Sequence, residues 1–367
     1  VSDVEGLTKG SLFWRSFSHW IGGMGVLVFL LAIVPMAGGS HMNLMKAESP
    51  GPSVGKLVPK VRQTAKYLYI IYFALTMIEV IFLLFGGMNL FEALTTSFGT
   101  AGTGGFAIWN DGFVSVSPYN QWVVTIFMLL FGVNFGFYFL ILTGKLRDAL
   151  KFEEVRIYFI IVIAAAVFIF INLRHFALYA PAEGIRQAFF QVASIITTTG
   201  FASADFNLWP ETSRTILVLL MFIGACAGST GGGIKVSRFI IACKSFIKEI
   251  ISYLHPRSVK KIKIEGKPLE HETLRATNVY FMTYMVIFAV SVLLVSIENK
   301  DLVTNFAAVA ATFNNIGPGL SLVGPMANFG HFTDFTKYIL MFDMLAGRLE
   351  IFPMMLFCPA VWKRRRA

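Results

Sequence analysis

Charged side chains are scarce in this sequence: Asp, Glu, Lys and Arg make up 14% of its 367 residues. Soluble domains carry about 25% charged residues. Hydrophobic residues account for 56% of the chain, and the mean hydropathy is +0.67. A soluble globular protein is therefore excluded and a membrane protein is indicated. The residue alternation of membrane-spanning strands is also missing, so we expect an all-α polytopic fold.

Cysteine is nearly absent, and the histidines are scattered along the chain. The three thiols, Cys226, Cys243 and Cys358, do not have the spacing of metal ligands. A polytopic membrane enzyme would be expected to gather His, Asp or Ser at one interface. The sequence shows no such cluster, so we expect neither enzymatic activity nor an organic cofactor.

Seven apolar segments are long enough to cross a hydrocarbon core of roughly 30 Å. They lie at about 17–36, 67–86, 119–142, 157–173, 214–242, 279–297 and 335–362. Basic residues concentrate in alternate connections, with ten of them between residues 235 and 275. The positive-inside rule places these connections in the cytoplasm. This segregation accounts for the net charge of +10 and argues against a nucleic-acid-binding protein.

Three shorter amphipathic stretches, at 89–98, 183–196 and 301–313, lie in the outer connections. Each runs into a turn of small or amide residues that ends in glycine. The turns read SFGTAGT from Ser97 to Thr103, IITTTGF from Ile195 to Phe201, and TFNNIGP from Thr312 to Pro318. The pattern predicts a repeated unit of helix, re-entrant half-helix with its turn, and second helix.

The glycines of these turns, Gly102, Gly200 and Gly317, are 98 and 117 residues apart. One period before Gly102 falls near the start of the sequence, so we expect a pseudo-fourfold assembly whose first repeat is incomplete in this chain. The expected divisions are 1–60 for the second helix of repeat 1 and a cytoplasmic loop, 61–150 for repeat 2, 151–265 for repeat 3 and 266–367 for repeat 4.

The repeated turns are predicted to line a pore for a monovalent cation. Irregular backbone at membrane depth is tolerated where it is buried in protein or lines a water-filled path. Carbonyl groups arranged around an axis can replace a cation's hydration shell, and the negative ends of the half-helices reinforce them. The predicted potassium ligands are Thr100, Ala101, Gly102, Thr198, Thr199, Gly200, Asn315, Ile316 and Gly317. The alternative is that these turns only cap their helices.

Five glycines interrupt the apolar segment at 214–242, and each costs about 1 kcal/mol relative to alanine in a helix. We therefore expect the helix to break there, below the turns. A small-residue packing face between helices is the alternative. A phosphate-binding P-loop is excluded because Ile234 separates Gly233 from Lys235.

Arg348 lies inside the last apolar segment, where a charge costs roughly 2.5–3.5 kcal/mol. It is predicted to face the pore or a carboxylate, and an ion pair with Asp343 or Glu350 would satisfy the same requirement.

The three turns, together with MFIGACAGSTGGGIKVSR from Met221 to Arg238, resemble the Trk/Ktr/HKT superfamily of potassium transporters. The likeness is closest to the membrane subunit of the bacterial Trk uptake system and covers essentially the whole chain. It implies four repeats with filter turns and a gating loop within the membrane. The implied gate residues are Gly224, Gly228, Ser229, Thr230, Gly231, Gly232 and Gly233, acting with Arg348.

The resemblance implies potassium uptake across the bacterial inner membrane through a gated, channel-like pore whose filters face the periplasm. A potassium/proton or potassium/sodium symporter is the alternative. The resemblance also implies a homodimer that works with a cytosolic, TrkA-like ring of nucleotide-binding regulatory subunits. The basic connection 244–277 would contact that ring, or anionic lipid.

Overall fold

The computed structural model describes residues 3–23, 25, 61–255, 261–349, 351 and 354. Within these residues the regular secondary structure is helical apart from one hairpin, in which β1 (Lys263–Ile264) pairs antiparallel with β2 (Lys267–Pro268). The predicted all-α architecture is confirmed. Exposed apolar side chains such as Ile160, Phe168 and Ile171 cover the outer surface, as expected of helices whose solvent is lipid.

The helices follow one another in a repeating order. After α1 (Lys9–Gly23), the first complete set is α2 (Val61–Phe85), α3 (Leu90–Ala101), α4 (Pro118–Phe131) and α5 (Phe135–Leu142). The short α6 (Leu146–Leu150) leads to the second set: α7 (Glu153–His175), α8 (Pro181–Ile196), α9 (Glu211–Ile223) and α10 (Val236–Leu254). The third set follows the hairpin and consists of α11 (His271–Val295), α12 (Leu302–Phe313) and α13 (Asp334–Arg348).

The first helix of each set is continuous and long enough to cross a membrane. By length and composition, three described segments qualify: Lys66–Phe85, Glu153–His175 and His271–Glu298. The predicted segments at 67–86, 157–173 and 279–297 are thus confirmed as uninterrupted helices. In α7, two glutamates occupy the first turn, and Arg174 and His175 occupy the last turn, which favours the helix dipole at both ends.

The half-helices α3, α8 and α12 begin at defined caps. Asn89 and Glu92 form a capping box on α3, Pro181 occupies the first turn of α8, and Asp301 accepts a hydrogen bond from the Thr304 amide at the start of α12. Their C-terminal halves are buried. The three predicted amphipathic stretches therefore enter the protein interior as helices, and each ends at its turn.

Two of the predicted apolar segments are not single helices: the one at 119–142 departs from the prediction of a single span, whereas the one at 214–242 is broken as predicted. Helix α4 ends at Phe131 and α5 begins at Phe135 after a bend of 89°. The side chain of Asn134 accepts a hydrogen bond from the Gly136 amide and so starts a new helix. The other segment breaks between Ile223 and Val236. The predicted segments at 17–36 and 335–362 lie partly outside the described residues.

Each second helix packs against the half-helix of the following set. Phe98 of α3 contacts three aromatic rings of α1. Trp122 of α4 lies 6.0 Å from Phe189 of α8, and Phe222 of α9 lies 6.1 Å from Phe306 of α12, measured between ring centroids. The sets therefore follow one another side by side, which brings their turns together.

Candidate functional site

The three half-helices end in turns of the same conformation. In each turn the second residue and the fourth, a glycine, have positive φ. The turns are turn A (Gly102–Gly105; second and fourth φ +54° and +63°), turn B (Thr197–Gly200; +58° and +86°) and turn C (Asn314–Gly317; +57° and +105°). The third amide donates to a carbonyl of the half-helix at 2.8–2.9 Å, and the fourth donates to the same carbonyl at 3.3–3.4 Å.

This correspondence corrects the predicted register of turn A. Thr100 and Ala101 belong to helix α3, and Gly102 has a φ of −73°. The equivalent of Gly200 and Gly317 is Gly105, so Gly102 is the first residue of its turn. The sequence TAGTGG offers glycine in both registers, and the hydrogen bonds to the end of the half-helix decide between them.

Each turn contacts the next one through equivalent residues. A Cβ atom built on Gly105 would lie closer than 3.0 Å to the carbonyl oxygen of Thr199. A Cβ atom built on Gly200 would crowd the carbonyl of Ile316 in the same way. The fourth residue of one turn therefore lies against the third residue of the next. This is the relation expected for repeats arranged around an axis.

The glycine-rich loop (residues 224–235) lies against these turns. It contains no helix, as predicted, and Gly224 leaves α9 with a φ of +74°. The Thr230 carbonyl accepts a hydrogen bond from the Thr103 hydroxyl at 2.9 Å. The Gly232 amide donates to Oγ1 of Thr198 at 2.6 Å. A Cβ atom built on Gly232 would lie 2.9 Å from the Asn314 carbonyl, so the loop approaches all three turns.

The side chain of the second residue of each turn contacts a segment packed against the turns, either the glycine-rich loop or α13. Thr103 and Thr198 contact the glycine-rich loop, and Asn315 donates from Nδ2 to the Met344 carbonyl of α13 at 3.1 Å. Positive φ is rare for β-branched residues such as threonine and indicates local strain. Such strain persists where surrounding contacts enforce it. The turns and the glycine-rich loop are therefore mechanically connected.

Helix α13 brings Arg348 to the tip of the glycine-rich loop. Its Nη1 donates to the Thr230 carbonyl at 3.0 Å, the same carbonyl that accepts the Thr103 hydroxyl. The predicted proximity of Arg348 to this loop is thus observed. Asp343, the alternative ion-pair partner, accepts a hydrogen bond from the Ser291 hydroxyl at 2.7 Å. Glu350 lies outside the described residues.

Three functional candidates escaped the sequence analysis. Lys235 was assigned to a cytoplasmic connection, but it is buried at the end of the glycine-rich loop and donates to the Gly231 carbonyl. His19 forms a 2.9 Å hydrogen bond from Nε2 to the Gly102 carbonyl in turn A. Glu154 is buried and binds amides on both sides of the loop's base. Each is a single polar residue without a motif, so only the fold connects it to the site.

Outer acidic residues mostly serve local structure. Glu92 caps α3, and Glu211 pairs with Arg214 at 2.5 Å. Hydrogen bonds from the Thr304 hydroxyl and amide lower the pKa of Asp301. Among the residues that the structure describes, no group of three His, Cys, Asp or Glu side chains could hold a metal ion.

The fold, with its broken second helices and buried turns, is that of a polytopic helical membrane transporter. A family model described as a cation transport protein, TrkH, matches residues 1–362. The chain belongs to this TrkH family of cation transport proteins. Members of the family are ion transporters, so the expectation that the protein is not an enzyme is confirmed.

Individual relatives are consistent with this assignment. The Trk system potassium uptake protein TrkH of Escherichia coli K12 is 38% identical over 370 residues, covering 98% of this chain and 75% of the relative. The uptake protein TrkI of Halomonas elongata is 30% identical and covers 98% and 74%. The crystal structure of the potassium transporter TrkH from Vibrio parahaemolyticus superposes with a TM-score of 0.84 at 34% identity, over 98% of this chain and 74% of that one.

Proposed function

We propose that this protein takes up potassium through a gated, channel-like pore. The observation that carries the proposal is the arrangement of three turns of one conformation, packed side by side, against a glycine-rich loop. Relatives at 30–38% identity are named potassium uptake proteins, which supports potassium as the transported ion.

The selectivity filter is assigned to the turns. Turn A contributes Gly102–Gly105, turn B contributes Thr197–Gly200 and turn C contributes Asn314–Gly317. Neutral backbone oxygens suit a monovalent cation, whereas a divalent cation prefers carboxylates. The half-helices end at these turns, so their partial negative charge adds to the attraction. The potassium ion is the transported substrate.

The gate is assigned to the glycine-rich loop with Arg348. The loop lies where an ion leaving the turns would have to pass, and the guanidinium fixes its tip through the Thr230 carbonyl. A positive charge at this point repels a passing cation, while the loop's backbone blocks the path. Opening then requires that Thr230 and Gly232 separate from Thr103 and Thr198.

The cellular setting follows from the same reasoning. We assign the protein to the bacterial inner membrane with the turns toward the periplasm, since the basic connections identify the cytoplasmic side. We also assign it a homodimeric state and a cytosolic nucleotide-binding partner of the TrkA type. The name of the relatives, Trk system, supports the idea that other proteins take part.

Reversal potentials distinguish a pore from a coupled symporter. The intact protein would be reconstituted in planar bilayers and recorded under opposed potassium, sodium and pH gradients. A gated potassium pore predicts currents that reverse at the potassium equilibrium potential whatever the pH and sodium gradients. A reversal potential that shifts with the proton or sodium gradient would instead establish symport.

A further inference from the structure

One carboxylate oxygen holds together the two ends of the glycine-rich loop. Glu154, in the first turn of α7, is 5% exposed. Its Oε1 accepts a hydrogen bond from the Ala227 amide at 2.7 Å and another from the Ser237 amide at 3.0 Å. The first amide lies near the start of the loop, and the second lies in the first turn of α10. Glu154 thus closes the base of the loop.

The base of the loop is also tied to the break between α4 and α5. The Cys226 amide donates to the Gly132 carbonyl, and the Phe135 amide donates to the Gly228 carbonyl, both at 3.0 Å. Hydrogen bonds to a carboxylate are about twice as strong as neutral ones. Glu154 therefore supplies the strongest contacts of the base, while the tip at 229–233 holds to the turns through neutral groups and Arg348.

The residue before Glu154 faces the cytoplasmic connection. Glu153 forms an ion pair with Lys244 of α10, with an N–O distance of 2.5 Å. Nζ of Lys244 also donates to the Lys263 carbonyl in β1 at 2.7 Å. Two consecutive residues of one helical turn are therefore connected to the hairpin and to the loop: Glu153 reaches the hairpin through Lys244, and Glu154 contacts the loop directly. One helical turn thus joins the two contacts, and packed side chains and hydrogen bonds of this kind can carry coupling between sites.

We propose that Glu153 and Glu154 couple the cytoplasmic hairpin to the gate. Glu154 is a positioning residue that keeps the loop's base in the closed arrangement. Glu153, through Lys244, transfers movement of the hairpin to that base. This inference rests on the proposed function of the glycine-rich loop as the gate, and it adds the route by which a cytoplasmic event reaches it.

The test compares Glu154→Gln, Glu153→Gln and the double variant with wild type, using potassium and sodium ions as the probes. Glu154→Gln keeps the side-chain size but removes the charge, so the loop's base loosens. We expect basal potassium flux in proteoliposomes to rise about tenfold, with an unchanged potassium-to-sodium ratio. Glu153→Gln should raise it less, and the double variant should not exceed Glu154→Gln. Glu272→Gln, on the exposed first turn of α11, is the matched control.

Several outcomes overturn the inference. Unchanged flux in Glu154→Gln would remove its positioning role. Additive effects in the double variant would show that the two residues act independently. If Glu154→Gln fails to fold, Glu154→Asp can replace it, since aspartate retains the charge on a shorter side chain. Basal potassium flux should then rise by a smaller factor, and wild-type flux in Glu154→Asp would also overturn the positioning role of Glu154.

Failure of the proposed function looks different from failure of this inference. If Arg348→Ala raises the flux while Glu154→Gln does not, only the coupling fails. If neither wild type nor Arg348→Ala carries potassium current, the gated pore itself is refuted. Hydrogen exchange at Ala227 and Ser237 gives a readout independent of flux, since both amides should exchange faster in Glu154→Gln.

Discussion

The substitution Gly200→Ala examines the turn-lined pathway directly. Gly200 has a φ of +86°, where an alanine costs about 1–2 kcal/mol. Its new Cβ would also lie closer than 3.0 Å to the Ile316 carbonyl of turn C, and overpacking of this kind costs about a further 1–3 kcal/mol. The carbonyl must move to relieve the contact. If that oxygen is an ion ligand, the preference for potassium changes with it.

Gly87 provides a matched control for the backbone cost alone. Its φ is +85°, and no atom lies within 4 Å of a Cβ built on it. Both variants should lose thermal stability in detergent, and Gly200→Ala should lose more. Each 1.4 kcal/mol corresponds to a factor of ten, so we expect Gly200→Ala to lower the potassium-to-sodium permeability ratio about tenfold. Gly87→Ala should keep the wild-type ratio.

Bi-ionic reversal potentials in reconstituted bilayers measure that ratio. Unaltered selectivity in Gly200→Ala, combined with the expected loss of stability, would show that the crowded Ile316 carbonyl is not an ion ligand. A selectivity change in Gly87→Ala of the same size would also refute the assignment of that carbonyl as a ligand, because strain remote from the turns would be the cause.

Three further predictions concern the gate and the outer surface. Arg348→Ala should raise basal potassium flux about tenfold by removing a charge from the path, and Arg348→Lys should lie between it and wild type; equal flux in all three would count against the gate. Thr198→Val removes the acceptor of the Gly232 amide, at a cost of about 1–3 kcal/mol. Thermal scans should therefore show a lower melting temperature for Thr198→Val than for the control Thr283→Val, since the Thr283 hydroxyl donates to the Val279 carbonyl of its own helix. The folded-state pKa of Asp301 lies below its unfolded value, so the carboxylate stabilises the fold above the unfolded pKa and this effect is lost as the pH falls through the folded pKa. Asp301→Asn should therefore lose less stability than wild type when the protein is titrated with acid.

Long apolar runs made the continuous helices predictable from the sequence. The start of α3 was readable as well, since Asn89 and Glu92 carry the capping-box spacing. The density of glycine identified the break before Val236. The bend after Phe131 was missed because a single glycine and Asn134 give a weak signal. At that break the Phe135 amide donates a hydrogen bond to the Gly228 carbonyl, a contact between distant parts of the chain that the local sequence does not reveal.

The site was predictable as a set of turns but not as a set of contacts. Turn A was displaced because glycine occurs at both 102 and 105, and only backbone geometry distinguishes them. Lys235 was placed in the cytoplasm by a rule that counts charges near span ends and takes no account of re-entrant segments. Glu154 looked like an ordinary acidic residue in a first helical turn, and its role depends on amides 73 and 83 positions away.

Anomalous scattering from rubidium, a heavier substitute for potassium, would locate the cation sites relative to the three turns. Crystals of the intact protein would be grown in a rubidium salt and measured at the rubidium absorption edge. We expect ordered ions coordinated by backbone oxygens of turns A, B and C, on the side of the turns away from the glycine-rich loop. Ordered rubidium bound only elsewhere in the membrane region, with the turns free of ions, would contradict this expectation.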